Sequence, residues 1–191
     1  YRNTIISKAR EELEMKKFWL NLIEVVAFIY QIFCVLGMIF SVFVLGIVAL
    51  SFNSNSDFAQ GFRAGFGSWG KGNTLWLAIA FFVVLFLEAL AEFFICKFAR
   101  GLVRNIKNEV FFANPNLELI RKLLMWVAAY TVMTIGLFLM SLNLQPGKDD
   151  MPNLAYPTGA QGGLLFLAVI YVIYIVFKYG MQLQEDSDAI I

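Results

Sequence analysis

A chain of 191 residues that is 60% hydrophobic, 16% aromatic and only 15% charged departs from an average soluble domain, which is roughly 45–50% apolar and about 25% charged. It carries more apolar surface than a single water-facing globule of this size can bury. That excludes a secreted disulfide scaffold, a nucleic-acid-binding domain and a disordered tail, and the chain reads as an all-α integral membrane protein. A net charge of +1 gives no global field that would draw an anionic partner.

Four apolar runs are long enough to cross a bilayer core, which needs about 20 helical residues. They cover about 18–52, 74–98, 123–144 and 163–179 of a single 1–191 domain. The first exceeds one perpendicular crossing and must tilt or project. It is also far longer than the apolar core of a signal peptide, and no small-x-small cleavage site follows it, so it is expected to be a retained helix.

The basic residues orient the spans. Twelve of them, Arg2, Lys8, Arg10, Lys16, Lys17, Lys97, Arg100, Arg104, Lys107, Arg121, Lys122 and Lys178, fall on the two ends and the middle connection, against Arg63, Lys71 and Lys148 on the other side. Both termini and the middle connection are therefore expected in the cytoplasm.

The first outer connection places Phe58, Phe62, Phe66 and Trp69 at helical spacing. This predicts a short interfacial helix, serving as an anchor or as a docking surface. The second outer connection, with Pro146, Pro152, Pro157 and the Lys148-Asp149-Asp150 turn, reads as an irregular solvated loop. The middle connection reads as a cytoplasmic helical hairpin broken at Asn114-Pro115-Asn116, with Asn116 capping the second piece. Its cations Arg100, Arg104, Lys107 and Arg121 suit lipid headgroups or a docking partner.

Chemistry-bearing residues are few. Histidine is absent, which removes Ser-His and Cys-His pairs, bis-His haem and most zinc or copper centres. Cys34 and Cys96 lie inside apolar runs and read as small hydrophobes. Neither catalytic residues nor a metal or other cofactor are expected. The intramembrane carboxylates Glu88 and Glu92 stand out, because such residues face the bundle interior, a partner or a water path. Counted from Trp76 as the outer interface, Glu88 lies roughly 18 Å inward and Glu92 roughly 24 Å. At the depth of Glu88, Tyr130, Thr131 and Thr134 on the third span, Gln31 and Glu24 on the first and Tyr171 and Tyr174 on the fourth offer polar groups for a candidate cluster, with Glu88 expected to bond Tyr130 or Gln31. Gly37 and Ser41 form a small-xxx-small pair that lets another helix approach.

The run Leu102-Val103-Arg104-Asn105-Ile106-Lys107-Asn108-Glu109-Val110-Phe111-Phe112, then Asn114 and Arg121, resembles the basic-helix, Phe, Asn, aliphatic-Arg segment of a bacterial four-span family, domain of unknown function family 2975. The closing segment Gly180 to Ile191, rich in Gln, Glu and Asp, is similar to the tails of that family. An Ala189-Ile190 ending and the added Pro115 depart from its pattern. The resemblance implies a bacterial inner membrane and a link to helix-turn-helix regulators, without an activity. The expected function is that of a non-enzymatic accessory, sensor or immunity-type partner, docking through the hairpin and the acidic tail (Glu185, Asp186, Asp188), with a protein partner or a homo-oligomer beside the lipid. The alternative is a small proton- or cation-coupled transporter using Glu88.

Overall fold

The computed structural model describes residues 2–53, 57, 60, 61, 74–110, 113–143 and 158–188. Its elements are α1 (Arg2–Asn53), α2 (Thr74–Lys107), α3 (Asn114–Asn143) and α4 (Thr158–Asp188), and no strand occurs among the described residues. Each helix contains a segment long and apolar enough to cross a membrane. Phe33, Phe40 and Phe43 on α1, Val132 on α3 and Leu165 on α4 are all exposed. Such outward apolar surface is what a multi-pass chain presents to acyl chains.

Every helix outruns its apolar segment. α1 has 52 residues, about 78 Å at 1.5 Å per residue, against a bilayer core of about 30 Å. The reason is that apolarity marks where the bilayer is, whereas helix ends need a breaker. Between Arg2 and Lys17 the chain has neither Gly nor Pro, and its Ala, Leu, Glu, Lys and Arg are good helix formers. Likewise α4 runs through Gln182 and Gln184 to Asp188.

Among the described residues each helix packs only on its chain neighbours, α1 on α2, α2 on α3 and α3 on α4. The four form an open series whose end helices, α1 and α4, do not meet. On α1, with Leu20, Val44 and Ile47 beside them, the residues turned from the lipid side include Glu24, Ala27, Gln31, Cys34, Met38, Ser41, Leu45 and Val48. Their alternating steps of three and four are the narrow seam of a left-handed helix pair. Gly37 and Ser41 belong to this intrachain contact. A Cβ on Gly37 would lie 3.9 Å from the Ala89 side chain, and Ser41 donates to the Phe82 carbonyl at 2.7 Å.

The main core joins the other three helices. Ile120, Leu123 and Val127 of α3 pack with Ile170 of α4, and Ile95, Phe98, Ala99 and Leu102 of α2 close against them. Trp126 stacks on Phe94 at 4.4 Å between centroids.

The middle connection is shorter than expected and breaks earlier. α2 ends in a Schellman motif: Val110 N–H bonds Asn105 O at 3.0 Å, Glu109 N–H bonds Ile106 O at 3.1 Å, and Glu109 has φ 60°. This left-handed position usually holds Gly. α3 then begins at Asn114, ahead of Pro115, because a proline has no N–H to lose in a first turn that needs none. Asn116 is accordingly not the N-cap: its own N–H bonds Ala113 O at 2.9 Å. Its fully buried side chain instead donates to Val110 O at 2.8 Å and accepts from Asn105 Nδ2 at 2.5 Å. The expected hairpin is thus the facing ends of α2 and α3, tied by one asparagine.

The interfacial helix expected at Phe58, Phe62, Phe66 and Trp69, and the Pro-rich loop around Lys148-Asp149-Asp150, lie outside the described residues.

Candidate functional site

The polar side chains of the spans form two groups along α2. The first is built on Glu92. Tyr30 of α1 donates to its Oε2 at 3.0 Å, and the Cys34 thiol lies 3.8 Å from the same oxygen. The Tyr130 side chain of α3 interacts with the same carboxylate. Glu92 therefore ties α2 to α1, and Tyr130 of α3 stands near both Glu92 and Glu88. One turn away, Glu88 Oε1 lies 3.0 Å from the Thr134 hydroxyl. That hydroxyl is also 3.0 Å from Tyr130 O, and its single proton serves one acceptor at a time.

This arrangement revises the expected partners. The hydrogen bond of Glu88 goes to Thr134 rather than to Tyr130 or Gln31, and Gln31 joins neither carboxylate. Helical rotation explains it. Residues facing α1 include Ala89, Arg100 and Phe93, whose carbonyl takes Gln31 Nε2 at 3.3 Å. Glu92 lies on the boundary between that face and the one turned to α3, whereas Glu88 belongs to the α3 side. The other oxygen of Glu88 takes no hydrogen bond among the described residues, nor is it fully enclosed.

The second group sits at the basic end of α2. Arg100 Nη1 donates to Gln31 Oε1 at 2.5 Å, and its guanidinium carbon stands 4.8 Å from the centre of the Phe28 ring. Arg104 and Lys107 converge on Glu24, at 2.7 and 2.9 Å. Three of the cations expected to face a headgroup or a partner are thus engaged with α1. Arg121 is exposed on α3. The Lys97 ammonium lies 5.7 Å from the Phe94 ring centre.

Sequence reasoning passed over Tyr30, Phe28 and the Cys34–Glu92 contact. The signal was available in the 3–4 stripe from Glu24 to Val48, which places Cys34 beside Gln31 on the α2-facing seam and Tyr30 at its edge. No trio of Cys, Asp or Glu able to hold a metal ion occurs among the described residues.

The chain matches no family model, no curated protein and no solved structure. No activity, substrate or partner therefore comes to it from a relative.

Proposed function

We propose that this chain is a non-enzymatic accessory protein of a bacterial inner membrane, with both termini cytoplasmic, acting as a subunit, sensor or immunity-type partner of another protein. One observation carries the reading. Among the described residues the helices form an open series in which α1 and α4 do not meet, and one oxygen of Glu88 takes no hydrogen bond at membrane depth. A bare carboxylate oxygen is costly in hydrocarbon, and a helix from another protein that offers a donor there removes the cost. The charge bias of the connections supports the orientation.

The test is purification in mild detergent from the native membrane, with crosslinking and mass spectrometry. A stoichiometric partner whose crosslinks reach α1, α2 or α3 near Glu88 supports the reading. A chain that emerges alone, or only with copies of itself, overturns it.

The unused oxygen of Glu88 also favours a second reading, a small proton- or cation-coupled transporter. Here Glu88→Gln abolishes a flux in proteoliposomes. Flux that persists in the variant removes Glu88 from any such role.

A further inference from the structure

We infer that Arg100 binds the phosphate of an anionic phospholipid at the seam between α1 and α2. Depth is the first reason. Counted from Trp76, whose exposed indole suits the opposite interface, Arg100 lies about 36 Å along α2. That is just beyond a hydrocarbon core of about 30 Å, where headgroup phosphates begin.

The second reason is the state of its guanidinium. Nη1 is taken by Gln31, and Phe28 covers one flat face. Nε is buried with no hydrogen-bond partner, the single such side-chain atom found among the described residues. Nη2 has no partner among those residues either, but it is not enclosed. The vacant Nε–Nη2 edge is the one that grips two oxygens of a phosphate side-on. Gln31 anchors one corner of the guanidinium and Phe28 backs one face, which leaves Nη2 open while Nε is enclosed. A phosphate oxygen meets Nη2 first, and a small rotation of the side chain brings Nε to a second oxygen.

The third reason is local charge. Lys97, Arg100, Arg104 and Lys107 recur at steps of three, four and three, along one side of α2. Glu24 is the one carboxylate paired with any of them among the described residues. The surplus of positive charge selects an anionic over a zwitterionic headgroup. Bound there, the lipid covers the Arg100 edge and touches both helices of a seam that is otherwise narrow. This inference requires no protein partner and stands apart from the reading of Glu88.

The test is native mass spectrometry of the full chain released from mixed micelles, titrated with phosphatidylglycerol and, in parallel, with phosphatidylcholine. Wild type is expected to retain phosphatidylglycerol in preference. Arg100→Gln is expected to weaken that retention about tenfold, the loss of a charge-assisted pair of hydrogen bonds. Arg100→Lys, which keeps the charge without the fork, should fall between them. Lys178→Gln, which removes an exposed cation of α4, should change nothing. Equal retention by wild type and a well-folded Arg100→Gln overturns the inference, as does an equal loss in Lys178→Gln. Should Arg100→Gln fail to fold, the wild-type lipid preference and the Arg100→Lys titration decide. No preference for the anionic lipid, or displacement of it by inorganic phosphate at matching concentration, overturns the lipid assignment.

Discussion

Tyr30 on α1 donates its hydroxyl to Glu92 on α2 at 3.0 Å, across 62 positions of sequence. It is one of several polar ties between these helices, beside Gln31 to Phe93 O, Ser41 to Phe82 O and Glu24 to Arg104. An interhelical hydrogen bond at membrane depth is worth roughly 0.6 kcal/mol on average and up to about 1.7. Tyr30→Phe and Glu92→Ala should each lower stability in detergent by about 0.5–1.5 kcal/mol. In a double-mutant cycle the combined loss should be smaller than the sum, since both remove the same bond. Strict additivity in thermal unfolding would show that the bond contributes nothing.

Glu109 occupies the left-handed position of the α2 Schellman motif with φ 60°. A side chain there costs about 1 kcal/mol that glycine avoids. Glu109→Gly is therefore expected to raise the unfolding midpoint, whereas Glu109→Val should lower it, because a β-branched residue tolerates the conformation least. A fall in stability for the glycine variant would mean that the Glu109 carboxylate holds something the motif itself does not require.

Asn116 is fully buried and serves both Asn105 and Val110 O. Asn116→Ala removes a donor and an acceptor and strands two partners, an expected loss of about 2–4 kcal/mol. Asn116→Asp keeps the acceptor for Asn105 but faces Val110 O with another oxygen, so it should rescue little. Hydrogen exchange would localise the effect: protection should drop first at residues 105–117. Uniform loss across all four helices would argue instead that the turn holds the whole series together.

The glycines divide by what stands over them. A Cβ on Gly163 would lie 2.9 Å from Thr131 Oγ1, and Thr131 is itself buried and bonded to Val127 O at 2.8 Å. Gly163→Ala should cost about 1–3 kcal/mol by forcing α3 and α4 apart, and Thr131→Ala should restore part of that loss. A Cβ on Gly46 meets nothing within 4 Å. Gly46→Ala should therefore be neutral or stabilise by up to about 1 kcal/mol through helix propensity. Similar thermal shifts for the two variants would contradict the packing of α3 on α4.

Part of this was legible before any coordinates. Four apolar runs and the order of the helices follow from hydropathy and spacing, and depth placed Thr134 among the polar groups near Glu88 without making it the partner. The ends of the helices were not legible that way, since apolar runs report the bilayer while α1 and α4 continue through charged residues that nothing interrupts. Pro115 misled for a related reason: it ends a helix when it sits inside one and starts a helix when it sits in the first turn. Only the neighbouring Schellman turn decides which.

What the sequence determined by itself is the solvent of each segment, because twenty consecutive apolar residues have one favourable environment wherever they pack. What only the tertiary structure decided is the choice of partners. Glu88 and Glu92 are one turn apart on α2, and Gln31 could face either of them or the basic residues below, so several pairings satisfy the sequence. Helix rotation sent Gln31 to Arg100, Tyr30 to Glu92 and Glu24 to Arg104 and Lys107. Hydropathy is additive along the chain and is read residue by residue. A hydrogen bond depends on how two helices are turned toward each other, and that angle is set by all of their contacts at once.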